Sequence, residues 1–219
     1  MSTPTIENYT KRIWRLEEES EDGNVALGAL AQSLGVTAGT VTSMLKTLSE
    51  AGLVDYRPRR GVRLTNRGRA LALHVLRRHR ILELYLVNAL NMDWAEVHDE
   101  AEVLEHVVSD KVLKKMEEKL GDTSLDPHGS PIPNREGVIE ESRDIVPLVD
   151  VESGEDVIIA KVREQNADFL DFLAKHHLKP GTRVKVKSVD RQAGILVLKP
   201  MNEDAVTLSL AAAAGLDVH

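Results

Sequence analysis

Cysteine is absent from this 219-residue chain, which excludes disulfides, thiolate zinc sites, iron–sulfur clusters and a cysteine nucleophile. Also missing is any run approaching the roughly 18 to 20 uninterrupted apolar residues that a membrane helix needs. The opening MSTPTIENYTKRIWRLEEESE carries acidic residues where an export signal requires an apolar core, so a cytoplasmic location is expected. No internal repeat or low-complexity run is present. What remains is ordinary globular material, with 42% hydrophobic and 29% charged residues, so wholesale disorder is not expected.

The net charge of −7 is unevenly spread. Residues 1–73 carry a net +2, residues 74–142 a net −7 and residues 143–219 a net −2. Within the first segment, residues 26–73 hold 7 basic groups against 2 acidic ones. A basic patch on an acidic chain points to a local polyanion contact, the plainer alternative being solvated surface.

Apolar spacing predicts a first helix with a stripe of Ile6, Tyr9, Ile13, Trp14 and Leu16, ended near Asp22-Gly23. A second helix carries Leu27, Leu30, Ala31 and Leu34 and stops at Gly35. Thr37 is the expected N-cap of a third, Ala38–Ala51, with Val41, Met44, Leu45 and Leu48 inward and Gly52 as its stop. LVDYRPRRGVRLT then alternates around an Arg/Pro/Gly turn, the pattern of a hairpin wing. Two long amphipathic helices follow, Asn66–Asn91 and His98–Leu120, and the Pro- and Gly-rich residues 122–137 are expected to be an irregular linker. From Val146 the apolar runs VIIAKV, TRVKVKSV and GILVLKP, with a short helix near Asp168–His176, predict a small β-barrel-like domain.

Helix, tight turn, helix and basic wing in that order suggest a DNA-binding winged helix-turn-helix. Thr37, Gly39, Thr40, Thr42, Ser43 and Lys46 sit on or before the second of those helices, where hydroxyls and a small residue allow close approach to a groove. Arg57, Arg59, Arg60 and Arg63 on the wing suit phosphates or a narrow minor groove. No Arg, Asn or Gln stands in the first turns of the recognition helix, so DNA shape and apolar contacts would carry much of the specificity.

The second pattern is a set of metal-ligand residue types. His79 and Glu83 are i,i+4 on one helix, and His98, Glu102, Glu105 and His106 share an arc of about 100° on the next. Beside that arc runs an apolar stripe of Val97, Ala101, Leu104 and Val108. Imidazoles and carboxylates converging from two helices suit a borderline-to-hard divalent metal. A single histidine of this kind is more often an ordinary core or surface residue.

VHDEAEVLEHVVSDKV, preceded by HRILE and followed by DPHGSPIPN, resembles the diphtheria toxin repressor family of metal-dependent transcriptional repressors, which includes iron-dependent and manganese transport regulators. The resemblance spans essentially the whole chain. It implies a mainly α protein with a small β part: a winged helix-turn-helix domain over 1–73, a helical metal-binding and dimerisation domain over 74–142, and an SH3-like (FeoA-type) β-barrel over 146–219, with 122–145 partly linker. It implies a regulatory site of Asn8, Glu102, Glu105 and His106, and an ancillary site of His79, Glu83 and His98 with Gln165 and Asp168. Iron-type members carry Cys where Glu102 stands and Met where Asn8 stands; manganese-type members carry Glu and Asp. The resemblance therefore implies a homodimeric, non-enzymatic repressor of metal-uptake genes, bound to double-stranded DNA and activated by Mn(II) first and Fe(II) second, with Zn(II) or Co(II) substituting in vitro. A metal-dependent enzyme and a metal-independent regulator with a structural metal site are the rival classes.

Overall fold

The computed structural model describes residues 2–140, 144–163, 166–201 and 203–219. The chain divides into two compact units. The first is Met1–His79 with Glu105–Val107 and Pro133–Val138; the second is Arg80–Leu104, Val108–Ile132 and Ile139–His219.

In the first unit Thr3 accepts from the Ile6 N–H and Pro4 takes the first helical position, so α1 begins cleanly and runs Pro4–Glu19. α2 (Leu27–Leu34) ends because Gly35 turns left-handed at φ 64°. Thr37 Oγ1 accepts from the Thr40 N–H at 3.2 Å and starts α3, Ala38–Glu50. Val54–Arg57 (β1) and Gly61–Leu64 (β2) pair antiparallel as the wing, with Arg59 left-handed at its tip and Val62 also bridging to Val25. Ile13, Leu30, Val41, Leu45, Leu48 and Val62 are fully buried together. Each such side chain contributes about 1.5–3 kcal/mol. Glu17 is buried among them, its carboxylate accepting from the Leu64 N–H at 2.5 Å and from Arg69 at 2.8 Å, which ties α1 to the wing. Burial pushes the Glu17 carboxyl above its usual range.

The long helix α4, Asn66–Leu90, carries its residues up to His79 in the first unit and from Arg80 in the second. The second unit contains α5 (Val97–Leu104) and α6 (Asp110–Leu120), where Ile81, Leu82, Leu84, Ala101, Leu113 and Ile132 form one core cluster. The continuous helix expected over His98–Leu120 is thus broken. Ser109 accepts from the Val112 N–H at 3.3 Å, and a capping serine followed by Asp110 starts a new helix instead of continuing the old one. Glu105 and His106 lie in the turn that follows α5 and not in a helix continuous with α6.

The rest of the second unit is a sheet of six antiparallel strands in the order β3-β8-β4-β5-β6-β7. Its strands are β3 (Val146–Pro147), β4 (Asp156–Val162), β5 (Arg183–Asp190), β6 (Ile195–Pro200), β7 (Val206–Ser209) and β8 (Leu216–Val218). α7 (Ala167–Lys175) follows β4 and α8 (Leu210–Ala213) follows β7. Irregular register between Ile159 and Lys161, and again between Val186 and Ser188, bends the strands as bulges do, giving the SH3-like curvature. Ile159, Val184, Val186, Leu196, Leu198 and Leu216 fill its inner side, with Leu170 and Leu173 of α7. The segment expected as linker contains no regular element yet is tightly built, with Asp126, His128 and Ser130 all buried. No helix among the described residues is long and apolar enough to cross a membrane.

Candidate functional site

The first unit gathers one set of donors. Glu105 is fully buried, and Lys11 Nζ donates to both of its oxygens, at 2.6 Å and 2.8 Å. His79 Nδ1 lies 2.6 Å from Glu105 Oε2. His106 directs Nδ1 at Glu7 Oε2, 2.6 Å away. A carboxylate can only accept, so in the neutral ring the Nδ1 proton sits on that bond and Nε2 is left with its lone pair. Nε2 is buried without a hydrogen bond, 3.4 Å from Glu105 Oε1. Asn8 Oδ1, one residue from Glu7 on α1, is likewise buried with no hydrogen bond.

These features fit a divalent cation. A histidine whose far nitrogen is held by a carboxylate, with the near nitrogen bare, has the arrangement usual in metal ligation. Two donor atoms 3.4 Å apart match neighbouring ligands, each about 2.1 Å from one ion. The Lys11 ammonium against Glu105 shows that this carboxylate already answers to a positive charge.

The second unit gathers another set. Glu83 is fully buried, with Oε1 3.1 Å from His98 Nδ1 and Oε2 3.9 Å from His128 Nδ1. Glu102 Oε1 lies 3.8 Å from His98 Nε2, one turn along α5. Asp126 completes the cluster; its Oδ2 is 3.5 Å from Arg80 Nε, and burial together with the charge of Glu83 pushes its carboxyl up.

Of the residues predicted as ligands, Asn8, His79, Glu105 and His106 therefore fall in the first unit, and Glu83, His98 and Glu102 in the second. Asp168 is exposed in the first turn of α7, and no cluster of ligand atoms among the described residues includes it. Gln165 lies outside the described residues. Glu7, Lys11, Asp126 and His128 join these clusters without having been predicted from the sequence. The cue for the first pair is their i,i+4 spacing on α1; for the second it is two ionisable groups inside DPHGSPIPN.

On the DNA-facing candidates, Thr37, Gly39, Thr40, Ser43 and Lys46 are exposed on or just before α3. Thr37 is committed to its cap, and Thr42 Oγ1 donates to the Ala38 carbonyl at 2.8 Å. All four wing arginines are exposed. Arg63 donates to the Asp22 carbonyl and Arg57 pairs with Asp55 at 3.3 Å, while Arg59 and Arg60 occupy the tip.

Residues 1–62 match the model of the iron-dependent repressor N-terminal DNA-binding domain, residues 65–134 that of the iron-dependent repressor metal-binding and dimerisation domain, and residues 146–218 that of the FeoA domain. The diphtheria toxin repressor of Corynebacterium efficiens is 31% identical over 203 residues, 88% of this chain and 86% of that protein. The iron-dependent repressor IdeR of Mycobacterium tuberculosis is 31% identical over 219 residues, covering 93% and 92%. Among solved structures, a manganese-dependent transcriptional repressor in complex with manganese superposes with a TM-score of 0.88 at 36% identity, over 97% of this chain and 98% of that one. ScaR with bound Cd2+ gives 0.82 at 28% identity, over 98% of each. A winged helix-turn-helix, a helical unit bearing buried His/Glu sets and an SH3-like sheet, matched along nearly their whole length, identify the chain as a member of the iron-dependent repressor family of metal-dependent transcriptional repressors.

Proposed function

We propose that this chain is a cytoplasmic, homodimeric repressor of metal-uptake genes that binds its operator when loaded with Mn(II), with Fe(II) the second choice. The observation that carries the metal requirement is the bare, buried Nε2 of His106 beside Glu105. What favours Mn(II) is the donor set: imidazole, carboxylate and amide oxygen, with Glu102 where the iron branch has Cys. Asn8, Glu102, Glu105 and His106 are the regulatory ligands in this reading, and His79, Glu83, His98, Gln165 and Asp168 the ancillary ones. The domains run 1–73, 74–142 and 146–219.

The bound ion supplies a positive charge to Glu105 and a partner for His106. Glu105 and His106 are tied to α1 through Lys11 and Glu7, so an ion held by Asn8, Glu105 and His106 would exchange one set of α1 attachments for another. That exchange shifts the population of DNA-binding poses only as far as one pose binds the ion better. In the competent pose two recognition helices stand about 34 Å apart, one helical turn of DNA. Thr40, Ser43 and Lys46 of α3 meet the groove, and Arg59 and Arg60 meet phosphates.

The test is binding to the protein's own promoter DNA under buffered Mn(II), Fe(II), Zn(II) and no metal, with Glu102→Ala and Glu102→Cys beside the unmodified chain. Glu102→Ala should raise the Mn(II) midpoint at least about tenfold with folding intact. Glu102→Cys should move activation toward Fe(II), Co(II) or Zn(II). An unchanged Mn(II) midpoint in Glu102→Ala removes Glu102 from the ligand set, and DNA affinity indifferent to chelator favours a structural metal.

A further inference from the structure

We infer that the second unit holds a further divalent-cation site, made by Nδ1 of His128 with the carboxylates of Asp126 and Glu83. It goes beyond the regulatory and ancillary sets, although it shares Glu83 with the latter. His128 is fully buried, and its Nε2 lies 3.0 Å from the Trp94 carbonyl oxygen. A carbonyl only accepts, so Nε2 carries the proton and in the neutral ring Nδ1 presents a lone pair. That nitrogen is buried without a hydrogen bond. What faces it is another acceptor, Glu83 Oε2, at 3.9 Å. Ligand atoms of His128, Glu83 and Asp126 all lie within 4.8 Å of one another, in a cluster buried throughout.

Acceptors brought together out of water need a positive charge among them. Arg80 reaches Asp126 Oδ2 at 3.5 Å, on one side of the cluster, and spends another nitrogen on the Pro131 carbonyl. The 3.9 Å between His128 Nδ1 and Glu83 Oε2 is too long for a direct O–H···N bond. A water about 2.8 Å from each would hold them roughly 4.6 Å apart. Donors about 2.1 Å from a single ion lie about 3.0 to 4.2 Å apart, and the 3.9 Å between His128 Nδ1 and Glu83 Oε2 falls inside that span. One imidazole and two carboxylates select the Mn(II), Fe(II) and Zn(II) class.

The frame around the site is rigid in the way a preformed site requires. Asp126 Oδ1 accepts from the N–H groups of His128 (2.8 Å) and Ser130 (2.9 Å), and Val162 of β4 donates to the His128 carbonyl at 2.8 Å. The imidazole stacks on Trp94 with ring centroids 5.4 Å apart. Glu83 then presents one oxygen to His98 and the other to His128, so occupation of this site leaves Oε1 available to the ancillary set.

The experiment uses the full chain and Zn(II) as the probe, counted per chain after equilibrium dialysis. His128→Gln keeps an N–H that can reach the Trp94 carbonyl and removes the Nδ1 lone pair; it should bind one Zn(II) fewer than the unmodified protein. Asp126→Asn should lose the same equivalent. Glu102→Ala, which probes the regulatory set, should leave it in place, so the two proposals fail separately. Crystals of the unmodified chain grown with Zn(II) should show an anomalous peak about 2.1 Å from His128 Nδ1. Unchanged stoichiometry in folded His128→Gln, or no peak at that nitrogen, overturns the site.

Discussion

Glu105 in the first unit and Glu83 in the second are both fully buried carboxylates set against histidines, and the two units answer them differently. Glu105 meets the ammonium of Lys11 at the end of a flexible four-carbon stem, with His79 on one oxygen. Glu83 meets two imidazole rings, one of them, His128, fixed by stacking and by a backbone carbonyl. A charge on a flexible stem can withdraw when a stronger cation arrives, whereas rings held by the backbone cannot. On the proposed reading, the first arrangement would suit exchange and therefore signalling, and the second would suit lasting occupation.

The largest effect should come from Glu105→Gln. It removes the counter-charge from a Lys11 side chain that is only 5% exposed. Breaking a buried pair from one side costs about 3–5 kcal/mol, because the remaining charge stays desolvated. Urea unfolding of the full chain checks it, and metal-dependent DNA binding should be lost as well. A stability within about 1 kcal/mol of the unmodified protein, the scale of a surface ion pair, would mean that Lys11 escapes to water.

Next in size is the frame of the second unit. Gly129 sits at φ +82°, and a Cβ there would stand 2.0 Å from the Ala160 carbonyl oxygen. Gly129→Ala should cost about 2–4 kcal/mol, combining left-handed strain with overpacking against the backbone. Gly35 in the first unit has φ +64° and open space around its Cβ position, so Gly35→Ala should cost only about 1 kcal/mol. Thermal unfolding of both variants measures the difference. Equal costs would mean that the His128 loop yields as easily as a free helix end.

Local signals are legible in the amino-acid sequence. Thr37 as a cap, Gly35 as a stop and the alternation through β1 and β2 all depend on neighbours a few residues away. The break after Leu104 is obscured because the Val97/Ala101/Leu104/Val108 stripe keeps helical spacing straight through it. Only Ser109-Asp110 announces the new helix. Glu7 and Lys11 escape a reading of α1 by its apolar stripe, because their partners lie 99 and 94 residues away. Asp126 and His128 are hidden by composition, since a Pro- and Gly-rich run has no period to read. Their burial depends on docking against β4, through the Val162 bond to His128.

The most discriminating change is Lys11→Met. Methionine keeps a long apolar stem in the place of the buried lysine chain and removes only the charge. Glu105 then remains buried beside His79 without its ammonium, and the metal-free protein should lose about 1–3 kcal/mol, less than in Glu105→Gln if His79 takes up a proton and becomes the counter-charge. The decisive readout is recovery. If Lys11 competes with the metal for Glu105, removing it should tighten Mn(II) binding at least about tenfold, or 1.4 kcal/mol. Mn(II) at about 100 times the variant's dissociation constant should then add roughly 2.7 kcal/mol to it against about 1.4 kcal/mol for the tenfold weaker unmodified protein, narrowing the gap by about 1.3 kcal/mol. Calorimetric titration and urea unfolding with and without Mn(II) measure both quantities. A Lys11 that merely braces α1 gives the opposite pattern: the loss persists at saturating metal and the affinity stays where it was. In that case the contrast between an exchangeable charge at Glu105 and a fixed one at Glu83 would not hold.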